Sequence, residues 1–282
     1  MIYGLGAALG WGFADVGAAL VGRRLGSLAT TVVAQVASLL AAGELVLLQR
    51  PEWTGDASNV TTLAVNGVVV AAAYLALYRA LELGPIALVS PVVAAYAVPP
   101  VLLAVFVLHE PLAGVVLAGA VVTLVGVVLA SLDLRRVGGE RPSLGAAGLP
   151  LAIVSMLLFG LVTFVLARQA QDIGWLPSMT IGRAFSVCAL LVVAAVKRPA
   201  IGVAGASGIA GAALVGVADI FGVAMFSLGA EAGLISVVAA ASATFVLIPV
   251  VWGIAFLDER PAASQLIGVT MVVIGLLMLG LG

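Results

Sequence analysis

Charge is scarce in this chain. Of its 282 residues, 9% are Asp, Glu, Lys or Arg, against about 25% in an ordinary water-soluble domain. Aromatic residues make up 6%, and there is one cysteine and one histidine. The shortage of charge excludes a soluble fold. Hydrophobic residues reach 63% and mean hydropathy is +1.29. That is more apolar surface than a core of this size can hide from water, so the solvent is lipid. The formal net charge of −1 sets up no field that would attract nucleic acid. A single cysteine, Cys188, excludes an intrachain disulfide. His109 stands without Cys or Asp neighbours, and zinc needs about three or four converging ligands, so neither a metal nor another cofactor is expected.

What the chain has in abundance is long apolar runs. A bilayer span needs roughly 20 such residues, and ten runs qualify: about 2–21, 28–48, 60–81, 86–107, 112–131, 147–167, 177–196, 208–229, 232–256 and 263–281. They are numbered spans 1–10 here. The first run has no basic segment before it and no cleavage site after it. It therefore reads as a retained helix rather than a signal peptide. The expected architecture is all-α, integral to the membrane, with ten transmembrane helices.

The runs fall into two similar sets. Shifted by 149 residues, Glu82 meets Glu231, Gly84 meets Gly233, Pro100 meets Pro249, Glu110 meets Glu259, Gly119 meets Gly268 and Gly126 meets Gly275. Shifted by 148, Gly12 meets Gly160, Trp11 meets Phe159 and Ser38 meets Ser186. Gly and Pro are retained for backbone geometry while apolar filler drifts. A period near half the length indicates two similar halves rather than a solenoid. The expected units are residues 1–132, a linker at 133–145, and residues 146–282. Five spans per half is an odd number, so the second half enters the membrane from the opposite side. That is the inverted-topology repeat of many secondary transporters.

Five plus five spans, Trp11-Gly12 in the first helix, ALELG and GAEAG closing spans 3 and 8, and HEP and DER before spans 5 and 10 resemble the EamA family of the drug/metabolite transporter superfamily. The resemblance covers the whole chain and lies in the order and repetition of the motifs. HEP departs from the family's usual Gly-Glu-Arg-like turn. The resemblance implies proton-coupled or facilitated movement of small metabolites, often export, by alternating access. Nine Arg and Lys follow odd-numbered spans and two follow even-numbered ones. The positive-inside rule then puts both termini outside, whereas the resemblance implies both inside.

Ionisable groups at bilayer depth are costly and usually face a cavity. Asp15, Gln35, Arg183 and Asp219 lie well within spans. Asp15 shares a helical face with Trp11. It reads either as a proton-carrying cavity acid or as an interfacial carboxylate satisfied by water or an Arg. Asp219 is near the centre of span 8, and its repeat equivalent is Val70, on the face carrying Tyr74 and Tyr78. Gln35 and Arg183 are equivalents at an offset of 148, which suggests one shared cavity. A buried Arg needs a carboxylate, and Asp219 is the most central choice. Arg183 then either grips an anionic substrate group or forms a structural pair. The proton-coupling residue is expected to be Asp219 before Asp15. Tyr96 and Trp252 are further cavity aromatics in spans interrupted by Pro91, Pro99, Pro100 and Pro249, where kinks serve as hinges or fixed bends.

Glu82 and Glu231, closing spans 3 and 8, read as structural, with Arg79 in reach of Glu82. Glu110 and Glu259 suit the N-termini of the helices that follow them, and Glu44 is interfacial. The function this describes is a secondary transporter in the inner (plasma) membrane, multi-pass, exporting a small organic metabolite or drug-like solute against protons. Its partners would be that solute and the lipid bilayer, in a monomer or homodimer. The rival is a membrane-embedded enzyme or lipid-handling, flippase-like protein. The enzyme would need paired acids at metal spacing or a His/Ser set at the membrane edge, and the sequence offers neither.

Overall fold

Apolar runs bounded by Gly, Pro and charge become helices, because in lipid only intra-segment hydrogen bonds satisfy every backbone group. The computed structural model describes residues 2–109, 114–131, 148–199, 205–233 and 235–279. Among these residues there is no strand. The helices are α1 Ile2–Leu25, α2 Ser27–Gln49, α3 Ala57–Leu83, α4 Ile86–Ala94, α5 Val98–Leu108 and α6 Gly114–Ser131. There follow α7 Leu149–Ile173, α8 Trp175–Lys197, α9 Gly205–Ala232, α10 Ile235–Ser242, α11 Leu247–Phe256 and α12 Ala263–Leu279. The expected linker at 133–145 and Glu110 lie outside the described residues.

Prolines divide two of the spans. A 3-10 turn at Ala95–Ala97 separates α4 from α5, and another at Ala243–Val246 separates α10 from α11. Pro99 and Pro100 cannot donate to the carbonyls of Ala95 and Tyr96, nor Pro249 to that of Phe245, so the chain tightens there. Pro91 stays inside α4. Counting each broken pair once, there are among the described residues eight helical segments long and apolar enough to cross a membrane. The runs at 112–131 and 263–281 contain shorter apolar helices, α6 and α12.

The two halves repeat their local devices. Gly26 and Gly174, 148 residues apart, take φ of 86° and 90° at the turns into α2 and α8. Arg50 and Arg198 end those helices with φ of 47° each. The carboxylate of Glu82 accepts from the N–H of Ser27 at 3.1 Å, and that of Glu231 from the N–H of Trp175 at 2.7 Å. Each glutamate thereby caps an orphan donor at a helix N-terminus. Arg79 pairs with Glu82 at 2.8 Å.

Glu259 departs from expectation. It does not serve the helix that follows it. Its two oxygens accept from the N–H groups of Ile86 and Ala87 at 2.9 and 2.8 Å, at the start of α4. Arg23 reaches the same carboxylate at 3.4 Å and the carbonyl of Gly84 at 3.0 Å. One side chain from the second half therefore ties down α4 and the end of α1 in the first.

Between helices the packing is of small residues. A Cβ on Gly119 would meet the backbone of Gly275, and one on Gly126 the backbone of Gly268. As the position on α6 advances, its partner on α12 recedes, so these repeat-equivalent helices run antiparallel. Gly67 lies against the backbone of Gly182 and Ser186, and Gly216 against that of Ala34, so α3 packs on α8 and α9 on α2. Glycine permits such close approach where lipid supplies no hydrophobic drive. Large apolar side chains such as Leu40, Leu48, Phe106, Val192 and Leu214 point outward and are exposed.

Candidate functional site

Helical spacing gathers the interior polar groups around one cavity of about 90 Å³. From α1 come Trp11, Ala14 and Asp15, and from α3 come Asn66, Val70, Tyr74, Leu77 and Tyr78, steps of three and four that form one face. Helix α7 adds Phe159 and Thr163, α8 adds Met179 and Arg183, and α9 adds Asp219 and Val223. The two 3-10 turns bring in Tyr96 and Phe245. Both halves of the chain thus contribute walls.

Two charged arrangements lie in this cavity. In the first, Arg183 Nη2 stands 2.9 Å from Asp219 Oδ2. Tyr74 donates its hydroxyl to Asp219 Oδ1 at 2.5 Å. Arg183 Nη1 donates to Gln35 Oε1, and its guanidinium carbon lies 5.2 Å from the Tyr74 ring centroid. Arg183 and Asp219 are 4% and 2% exposed. Separating such a pair leaves an uncompensated buried charge, so its geometry is strongly held.

The second arrangement is Asp15, 5% exposed, which accepts from the Ser90 hydroxyl at 3.1 Å. It faces the cavity, and no Arg or Lys pairs with it among the described residues. Around it runs an aromatic cluster. Trp11 lies 5.9 Å from Tyr96, 5.7 Å from Phe226 and 6.4 Å from Phe245 between ring centroids. Tyr96 and Ser242 share a hydrogen bond of 2.7 Å between their hydroxyls. Tyr74 meets Phe159 edge-on at 5.0 Å and Tyr78 at 5.8 Å. The hydroxyl of Tyr78 has no hydrogen-bond partner among the described residues.

Of the residues singled out from sequence, Trp11, Asp15, Tyr74, Tyr78, Tyr96, Arg183 and Asp219 line the cavity. Gln35 stands behind it, holding Arg183. Trp252 does not join them: it sits past the break in its span and packs on Phe256 at 4.6 Å. Phe159, Phe245, Asn66, Thr163 and Ser90 were not singled out. The repeat was the available signal for two of these, since Phe159 is the equivalent of Trp11 and Phe245 of Tyr96. Asn66 lies two helical turns before Tyr74 on the same face. Among the described residues no group of three or more His, Cys, Asp or Glu could hold a metal ion.

Comparison with known proteins bears on the fold and on the family. No curated protein matches the chain. Twenty-eight chains of solved structures do. One of them, titled only as the crystal structure of a protein, aligns at 18% identity with a TM-score of 0.67 over 99% of this chain and 96% of its own. At that identity the likeness concerns the fold. In this multi-pass membrane protein, residues 1–132 match the EamA-like transporter family, a family of the drug/metabolite transporter superfamily.

Proposed function

We propose that the chain is a ten-span secondary transporter in the inner (plasma) membrane, built of inverted halves at 1–132 and 146–282. It exports a small organic metabolite or drug-like solute by alternating access, coupled to protons. The observation that carries this reading is the placement of Asp15, Arg183 and Asp219, all nearly sealed from solvent, around one cavity walled by both halves. Ionisable groups at bilayer depth mark substrate and ion pathways. The antiparallel register of α6 and α12 supports the inversion, because these helices are repeat equivalents and each counts as a span in this reading. The match of residues 1–132 to a transporter family supports transport over catalysis.

The cavity, at about 90 Å³, is far below the several hundred Å³ typical of ligand sites. The conformation is therefore read as an occluded one, and the breaks at Ala95–Ala97 and Ala243–Val246 as the hinges that open it. Asp15 and Asp219 are the proposed proton-coupling residues. Asp15 is placed before Asp219 in this reading, because Asp219 already has Arg183 and Tyr74, while Asp15 has a single neutral hydroxyl. A thermal-shift screen in detergent, followed by uptake of each hit into proteoliposomes, tests the reading. Uptake above that of empty liposomes is expected, abolished by dissipating the pH gradient. Hits that bind and are chemically converted instead would establish the enzyme reading.

A further inference from the structure

The charges in the cavity do not balance. Arg183 and Asp219 cancel as a 2.9 Å pair, which leaves Asp15 as the uncompensated group. Its Oδ2 accepts from Ser90, and Ser90 is neutral. The other titratable groups lining the same cavity are Tyr74 and Tyr78 on α3, Tyr96 at the first break, Arg183 on α8 and Asp219 on α9. Of these only Arg183 is cationic, and Asp219, Gln35 and the Tyr74 face already occupy it. An anionic substrate would have to expel Asp219 from Arg183, leaving two carboxylates without a cationic partner in one cavity, which is strongly destabilising. A cation needs no such rearrangement.

We propose, resting on the transporter reading above, that the solute carried is a small organic cation. Its ammonium group is held by Asp15, and its apolar body sits against Trp11, Tyr96 and Phe245. Aromatic faces attract cations, Trp most strongly, and Trp11 lies one helical turn before Asp15 on the same face, with Tyr96 and Phe245 edge-on to it. The cation and a proton satisfy the same carboxylate in turn, so their exchange at Asp15 gives antiport. A second pocket close to the cavity carries the same sign of charge. Glu52, Asp172 and Glu231 line a pocket of about 300 Å³ at the start of α8. Leu176 belongs to that pocket, and Met179, one turn further along α8, belongs to the cavity. Arg168 pairs with Asp172 at 3.6 Å, so Glu52 and Glu231 set the sign of this pocket, and a mouth of negative sign concentrates cations.

The test is a binding titration on the purified full-length protein in detergent. Tetramethylammonium and propylammonium serve as cationic probes, tert-butanol as a neutral one and pivalate as an anion of similar bulk. The cations are expected to bind, and pivalate and tert-butanol at least tenfold more weakly. Asp15→Asn should weaken cation binding at least tenfold, Trp11→Leu should weaken it several-fold, and Asp15→Glu should restore part of it. Both Asp15 variants are first checked for a monodisperse elution profile. If the Asn variant does not fold, the probe order in the parent and the Trp11→Leu effect decide. Pivalate binding as tightly as the cations, no cation binding at all, or an Asn variant that binds like the parent would each overturn the proposal. Uptake of the same radiolabelled cations into proteoliposomes separates the two readings. Cations that bind through Asp15 but are not moved leave the site standing and remove transport. Uptake of anions or neutral solutes without cations leaves transport standing and removes the proposal.

Discussion

Arg183 on α8 and Asp219 on α9 form a 2.9 Å ion pair with both side chains nearly sealed from solvent. The corresponding positions in the first half are Gln35 and Val70. The charge thus stands in one half of the sequence repeat and not in the other. Gln35 shares in the arrangement by accepting from Arg183, so two repeat-equivalent positions are hydrogen-bond partners.

This pair sets the first prediction. Removing either charge alone leaves the other buried and bare, which costs about 3–5 kcal/mol. Arg183→Gln and Asp219→Asn should each lower the melting temperature in detergent markedly. The double variant should lose less than the sum of the two, with a coupling of about 1–3 kcal/mol. Additive losses would show that the pair is not a unit.

The glycine seam sets the second. Gly275 faces the backbone of Gly119 and Thr123, with no room for a Cβ, whereas Gly43 in α2 has nothing within 4 Å of that position. Gly275→Val should part α6 from α12 and reduce the yield of monodisperse protein. Gly43→Ala should be neutral or stabilising by roughly 0.5–1 kcal/mol, the ordinary gain of Ala over Gly within a helix. Thermal melts and size-exclusion profiles of the two variants are the readout.

Glu259 sets the third. Its carboxylate caps two N–H groups of α4, and losing such a cap costs about 0.5–2 kcal/mol. Glu259→Ala should destabilise by about that much. It should also speed hydrogen exchange at Ile86 and Ala87 while leaving the start of α12 unchanged. Faster exchange confined to α12 would return Glu259 to the role expected from sequence.

Much of this was legible in the residues. Long apolar runs fixed the helices, since lipid leaves the backbone no other solution. The recurrence of Gly and Pro pointed to two similar halves because those residues hold geometry rather than volume. Arg183 and Asp219 stood out because charge at depth is costly and needs a partner. What was hidden is tertiary. The contact of Glu259 with α4 spans 173 residues, and nothing local to DERP shows it. Ser90 gives no hint of its tie to Asp15, because a hydroxyl inside a span is satisfied by the helix itself as readily as by a neighbour. Trp252 looked like a cavity aromatic, but the break at Ala243–Val246 divides its span, and Phe245 at the break faces the cavity instead.

Topology gives the fourth prediction. Gln49 and Lys197 are repeat equivalents, both exposed at the ends of α2 and α8. In inverted halves they lie on opposite sides of the membrane. In a Cys188→Ser background, Gln49→Cys should react with a membrane-impermeant thiol reagent from one face of intact cells and Lys197→Cys only from the other. The excess of basic residues after odd-numbered spans places Gln49 outside. Labelling of both positions from the same face would end the inversion.

The central claim is that a buried carboxylate exchanges a proton for solute, and it is tested by proton flux into proteoliposomes loaded with a pH-sensitive dye. The parent protein should admit protons only when a transported solute is supplied on the opposite side. Asp15→Asn should abolish that solute-dependent flux, and Asp219→Asn should reduce it by disturbing Arg183. Solute-dependent flux that survives in both Asn variants at the parent's rate would contradict the account.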